Sequence, residues 1–263
     1  MKRNINPLTN SAFKYGLGFY ETMRAINKNI IFYDEHIKRL SKSLKDFKLP
    51  TINIKDIYKT LIERIEKKNI KDARIRITYS LQGKNLQPFL TYEVVPFVPS
   101  FQKQAKIKLS DYILKHSDEL RQHKTTSNFI YFLEFLKARE HNYDEVIFID
   151  DAGHILEGSR TNIFFIFYGE KPGKFYLKTP SLDCGILHGI AREKVIKLCK
   201  ELRIKILEEP LDQKIFNDAD EIFLTNSVHG IIPLKSIPGS KRLYIERTEF
   251  IKHEFAKRYL ITY

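Results

Sequence analysis

His123-Lys124-Thr125-Thr126-Ser127-Asn128-Phe129 and, shortly after it, Asp150-Asp151-Ala152-Gly153-His154-Ile155-Leu156-Glu157-Gly158-Ser159-Arg160-Thr161-Asn162 decide how this chain is read. The first stretch offers one lysine at the mouth of an apolar helix, and the second offers one carboxylate just after a hairpin turn. A lysine amine joins an aldehyde as a Schiff base, and an acid keeps a ring nitrogen protonated. Such a pair therefore suits amine chemistry carried out on a heterocyclic electron sink. Taken alone, a lysine before a helix in a basic chain is more often a solvated helix end, so the flanking sequence has to decide.

The chain has 263 residues, room for one large domain or two modest ones, and its 43% hydrophobic and 29% charged content is that of a globular protein. No run approaches the roughly 18 apolar residues of a membrane span, and no secretion signal opens the chain, so a cytoplasmic protein with no membrane partner is expected. Cys184 and Cys199 make neither a disulfide framework nor a metal-ligand spacing, and no metal is expected. Forty-five Lys and Arg against 32 Asp and Glu leave a net charge of +13. The basic residues are scattered and no nucleic-acid motif accompanies them. The charge is therefore read as solubility and attraction of a carboxylate-bearing small molecule, with no nucleic-acid partner.

Working outward toward the N-terminus, Gly16 and Gly18 sit among large side chains, as in a plain turn or in a bulge where a backbone or ligand comes close. Asn27-Lys28-Asn29 predicts a hairpin turn. Asp34 reads as the N-cap of a helix running to about Lys48, with Ile37, Leu40 and Leu44 on its core face. Arg39 falls nearly opposite that stripe, where an arginine is usually solvated but can also grip a phosphate. A second helix is expected from Ile54 to Glu66, burying Ile54, Ile57, Leu61 and Ile65. From Ala73 the pattern becomes period two, Ile75, Ile77, Tyr79 and Leu81 alternating with Arg74, Arg76, Thr78 and Ser80, and a return strand follows over Phe89 to Val98. Pro96, Pro99 and Ser100 mark a boundary. The expected domains are 1–100 and 107–263, joined by a linker over 101–106.

Beyond the linker, a strand is expected over Ala105 to Leu109. A helix then turns Phe129, Phe132, Leu133 and Leu136 inward and Lys137, Arg139 and Glu140 outward. Short apolar strands follow at Val146–Ile149 and Ile163–Phe167. Gly189 precedes a helix from about Ile190, whose first N–H groups lack internal partners and favour an anion. Glu221 to Leu224 is a strand ending in Thr225-Asn226-Ser227, and a last helix spans about Glu246 to Leu260.

Several of these fragments, in this order, resemble the class IV pyridoxal-phosphate aminotransferases and lyases of fold type IV. They are Tyr15-Gly16-Leu17-Gly18-Phe19-Tyr20-Glu21-Thr22, Glu35-His36-Ile37-Lys38-Arg39-Leu40, Lys124 with its helix, and Gly153 through Phe164. Thr179-Pro180, Gly185-Ile186-Leu187-His188-Gly189-Ile190-Ala191-Arg192 and Leu224-Thr225-Asn226-Ser227 complete the series.

The resemblance implies an α/β (α+β) fold of two domains, pyridoxal 5'-phosphate in the cleft between them, and a homodimer. It makes Lys124 the Schiff-base lysine and proton carrier, and Glu157 the partner of the pyridine nitrogen. It assigns the phosphate to Arg39, the N–H groups of Ile190 and Ala191, and Ser227. Arg76 resembles a substrate-carboxylate arginine, and Asn226, Arg74 and Thr225 are expected to border the pocket. Leu17, Phe129 and Ala191 depart from common family residues, the last two removing a hydroxyl. Within the family, the Thr179–Leu187 and Leu224–Pro233 segments look most like the branch that converts 4-amino-4-deoxychorismate to 4-aminobenzoate and pyruvate for folate biosynthesis. A branched-chain or D-amino acid aminotransferase using 2-oxoglutarate is the alternative, and a non-catalytic or nucleic-acid-binding relative is a third.

Overall fold

The alternating run around Ile75 and Ile77 forms the middle of one sheet in the computed structural model, which describes residues 6–101, 103–116, 118–171, 173–236, 243–259 and 261. The chain divides into two compact units: Met1–Val98 with His123–Asn128, and Pro99–Gln122 with Phe129–Tyr263.

In the first unit, Asn10 caps α1 (Ser11–Tyr15) by accepting from the Ala12 and Phe13 N–H groups, and Gly16 ends it at φ 68°. There follow β1 (Gly18–Ile26), β2 (Asn29–Ile30), α2 (Tyr33–Asp46), α3 (Lys55–Lys67), β3 (Asp72–Gln82) and β4 (Gln87–Pro96). The expected hairpin turn forms with Asn27 and Lys28 both at positive φ, the backbone that lets a two-residue loop follow strand twist. Among the described residues the strands make an antiparallel sheet of order β2-β1-β3-β4. Met23, Ile75, Ile77 and Val94 on its inner face pack with Ile37 of α2 and with Ile57, Leu61 and Ile65 of α3.

Two local expectations need correction. The α2 helix starts at Tyr33 with Phe32 in the cap position at φ 56°, so Asp34 lies inside the first turn, where its charge still favours the helix dipole. Ile54 precedes α3 and is exposed, because the buried stripe begins only with Ile57.

The second unit contains β5 (Ala105–Leu114), α4 (Phe129–Glu140), β6 (Glu145–Asp150), β7 (Ile155–Gly158), β8 (Asn162–Tyr168), β9 (Phe175–Thr179) and α5 (Ile190–Glu201). β10 (Lys205–Glu208), α6 (Ile215–Asp218), β11 (Glu221–Asn226), β12 (Gly230–Ser236) and α7 (Glu246–Tyr259) complete it; the expected last helical residue, Leu260, lies outside the described residues. Its mixed sheet has the order β10-β9-β8-β11-β12-β5-β6-β7. Both cysteines are buried and free. Among the described residues no helix is long and apolar enough to cross a membrane.

The apolar face of α4 differs from expectation, although Lys137, Arg139 and Glu140 are exposed as expected. Phe129, Phe132 and Leu136 are exposed, while Ile130, Tyr131 and Phe135 pack inward beside buried Ala138. Its sequence is apolar nearly all round, so periodicity does not single out a face. Glu134 does: it is buried, accepting from Ser110 Oγ (3.0 Å) and Lys137 Nζ (2.7 Å). The division between units also differs from the sequence boundaries. β5 begins inside the expected linker, and residues 123–128 group with the first unit by pairing with β1.

Candidate active site

Backbone pairing places Lys124. β2 covers only Ala25 and Ile26 of β1, leaving the edge near Gly18 open. Residues 124–126 take that edge. The Tyr20 N–H donates to the Lys124 carbonyl (2.9 Å), the Thr126 N–H donates to the Gly18 carbonyl (2.9 Å), and Phe19 and Thr125 are bridge partners. Only glycine fits at 18, because a Cβ there would stand 2.7 Å from the Tyr79 carbonyl oxygen. Residues opposite one another in such a ladder share a face, so the Lys124 and Tyr20 side chains meet. Lys124 Nζ is 4.6 Å and Arg76 Cζ 3.7 Å from the centre of the Tyr20 ring. The Lys124 charge holds the Tyr20 phenol below its ordinary value, against the upward push of burial, and Arg76 lowers it further.

The other face of β1 carries Glu21, between the core residues Phe19 and Met23. A carboxylate there has to be paired. One turn of α2 supplies both partners: Arg39 donates through Nε to Oε1 (2.8 Å) and through Nη2 to Oε2 (2.6 Å), and His36 Nδ1 donates to Oε2 (2.6 Å). Burial pushes the Glu21 carboxyl up, but Arg39 and His36 outweigh it and hold it at about 2. Burial likewise keeps His36 below the usual histidine value, against the pull of Glu21. His36 Nε2 is buried with no hydrogen-bond partner among the described residues.

In the second unit Glu157 is buried on β7. Its Oε1 accepts from the Leu187 N–H (3.0 Å) and its Oε2 from Asn162 Nδ2 (3.0 Å). Asn162 also donates to the Leu187 carbonyl (3.3 Å), tying the carboxylate to the loop before α5. Gly189 has to be small here, for a Cβ on it would lie 1.8 Å from Asn162 Oδ1. No side chain caps α5, and its first residues Ile190 and Ala191 are buried. Thr225 pairs with Asn162 across β11 and β8, and its buried hydroxyl has no partner among the described residues. Asn226 Oδ1 accepts from the Val228 (3.0 Å) and His229 (2.8 Å) N–H groups, shaping the turn that also contains Ser227. Tyr131 lies near Glu157; burial and that carboxylate raise its phenol above the ordinary range.

Of the residues singled out from sequence, Lys124 and Arg76 therefore share the Tyr20 ring, whereas Arg39 faces Glu21 from α2 rather than open solvent. Glu157, Ile190, Ala191, Asn226 and Ser227 all belong to the second unit. Sequence reasoning did not single out Tyr20, Glu21 or His36 individually. The signal was present for Glu21, an acid in register with Phe19, Met23 and Ala25 on the apolar side of a strand.

The profile of amino-transferase class IV matches residues 18–237. An aminodeoxychorismate lyase of Bacillus subtilis is 30% identical over 243 residues, covering 86% of this chain and 79% of its own. A branched-chain-amino-acid aminotransferase of Salmonella typhimurium is 28% identical over 248 residues, covering 87% and 78%. The crystal structure of a branched-chain aminotransferase from Thermoproteus uzoniensis superposes with a TM-score of 0.88 at 25% identity, over 98% of this chain and 90% of that one. The two-sheet α/β architecture is thus that of fold type IV, and this chain is an enzyme of the class IV aminotransferase family, whose members include both transaminases and lyases.

Proposed function

We propose that this enzyme binds pyridoxal phosphate and converts 4-amino-4-deoxychorismate to 4-aminobenzoate and pyruvate. The observation carrying the chemistry is the Lys124–Tyr20–Arg76 stack, a nucleophilic amine beside a phenol and a second cation. The lyase branch is chosen on the Thr179–Leu187 and Leu224–Pro233 segments, and the 30% identity to the Bacillus subtilis lyase over most of both chains agrees with it.

The residues fit the cofactor. An uncapped, buried helix start at Ile190 and the partnerless Thr225 hydroxyl suit a phosphate-bearing ligand, and Glu157 is held as a buried acceptor for a ring N–H. Arg39, the N–H groups of Ile190 and Ala191, and Ser227 would hold the phosphate. When bound, pyridoxal phosphate supplies an electron sink for the carbon bearing the substrate amine. Lys124 takes the proton from that carbon, and Glu157 keeps a proton on the ring nitrogen. Arg76 neutralises a substrate carboxylate, while Tyr20 orients the Lys124 amine and shares its proton. We also propose that the enzyme is a cytoplasmic homodimer.

The deciding experiment supplies purified enzyme and pyridoxal phosphate with 4-amino-4-deoxychorismate and follows both products. Equimolar 4-aminobenzoate and pyruvate are expected, with Lys124→Ala losing at least ~100-fold in rate. Turnover of leucine with 2-oxoglutarate, without release of 4-aminobenzoate, would instead assign the aminotransferase reaction, the reading favoured by the 28% identity to the Salmonella enzyme.

A further inference from the structure

Away from the residues assigned to amine chemistry, the second unit gathers His116, Asp150 and His154. They come from separate points of the fold: His116 follows β5, Asp150 ends β6, and His154 precedes β7. The Asp150 side chain is fully buried, and two backbone N–H groups, those of Ala152 (3.1 Å) and His154 (2.8 Å), fix its Oδ1. That turns Oδ2 toward the two imidazoles, 2.6 Å from His116 Nδ1 and 3.4 Å from His154 Nδ1. One donor atom from each residue lies within 4.8 Å of the other two. The surrounding backbone is pinned as well. His116 N–H donates to Asp151 Oδ1 (2.9 Å), Asp151 N–H to the Leu114 carbonyl (2.9 Å) and Ile155 N–H to the Leu211 carbonyl (2.7 Å). Solvent reaches both imidazoles, whose side chains are 46% and 32% exposed.

We propose that His116, Asp150 and His154 bind a divalent transition-metal ion of the zinc class, with water completing the coordination. Two imidazole nitrogens and one carboxylate oxygen are a donor set that zinc, cobalt and nickel accept, whereas calcium and magnesium require mostly oxygen. Tetrahedral bonds of about 2.0–2.1 Å put donors roughly 3.3 Å apart. The two Oδ2–Nδ1 separations, 2.6 and 3.4 Å, lie on either side of that figure, and all three donor atoms stand within 4.8 Å of one another, so the partly exposed imidazoles turn to close on the ion. The ion replaces two hydrogen bonds to Oδ2, while the backbone bonds to Oδ1 keep the carboxylate aimed. Cysteine spacing could not reveal such a site, because its ligands are histidines and an aspartate brought together by β5 and the β6–β7 hairpin. Bound metal would brace that hairpin, which carries Glu157 three residues beyond His154. The proposal stands independently of the lyase assignment.

The test uses tag-free holoenzyme, freed of excess pyridoxal phosphate, titrated with zinc chloride and cobalt chloride by calorimetry and thermal unfolding. One ion per chain is expected, with a Tm rise of roughly 5–10 °C at a hundredfold excess over Kd. The rise should be reversed by EDTA. His116→Ala and His154→Ala should each weaken binding by at least ~10-fold and leave cofactor binding intact. His188→Ala, beside Glu193 at 3.6 Å, should change nothing. Absence of saturable binding in the micromolar range, or undiminished binding by both His116→Ala and His154→Ala, overturns the site.

Discussion

At the scale of single residues, Glu21 sets the most exposed liability in the first unit. Its carboxylate sits on the core face of a strand and tolerates that position only because Arg39 and His36 close on it. Its folded pKa, about 2, lies below the unsupported value of 4.5. The stabilisation is therefore complete above pH 4.5 and is lost as pH falls toward 2, a swing of roughly 3 kcal/mol. His36 acts in the same direction: its folded pKa is also lowered, so stability contributed by the neutral ring starts to fall as pH drops through 6.5. Glu21→Gln should flatten this acid limb in urea unfolding curves collected from pH 7 to 3, and an unaltered limb would rule the linkage out. Arg39→Ala should cost about 3–5 kcal/mol, since it strands a buried charge, in addition to whatever cofactor affinity it loses. From the sequence, the stripe of Ile37, Leu40 and Leu44 was legible but the setting of Arg39 was not. Its partner lies 18 residues away on a strand, and helical periodicity carries no information about that pairing.

At the scale of elements, the junction of β7, β8 and α5 shows how local sequence becomes a site. The strands around Val146 and Ile163 and the start of the helix at Ile190 were readable from apolar runs and from Gly189. The face of α4 was not, because aromatic and aliphatic residues surround that helix and a buried Glu134 decides its orientation. Gly189 offers a sharp test. Its backbone, at φ −69° and ψ 128°, suits any residue, so alanine is refused there by what its Cβ meets, above all Asn162 Oδ1 at 1.8 Å and then Arg192 Cβ at 3.3 Å. Gly189→Ala should push Asn162 away from Glu157, costing about 1–3 kcal/mol in thermal unfolding and lowering pyridoxal-phosphate affinity at least ~10-fold. Adding Asn162→Ala removes the severest contact, so the double variant should be less destabilised than the sum of the two single changes. Strict additivity, or wild-type cofactor affinity in Gly189→Ala, would contradict the coupling.

At the scale of the whole molecule, the prolines near 96–100 are where the sequence places its boundary, and the leading segment of the first compact unit ends at Val98. The return of residues 123–128 to the first unit was not legible, because six residues with no marked periodicity leave no trace of the strand edge they complete. The exposed apolar side of α4 bears on assembly. It presents Phe129, Phe132 and Leu136 at 73%, 58% and 43% exposure along one side of the helix, an apolar surface available to the second copy in the proposed dimer. Each copy carries +13, so association has to overcome like-charge repulsion. Added salt screens that repulsion while leaving apolar burial in place. Light scattering should accordingly give twice the 31.1 kDa chain mass, with a dimer Kd that falls as sodium chloride is raised. Phe132→Glu, which buries a charge in the contact, should weaken the dimer by at least about 2 kcal/mol, roughly 30-fold in Kd. A monomer at every concentration and salt level, or a dimer indifferent to Phe132→Glu, would show that this face serves some other purpose.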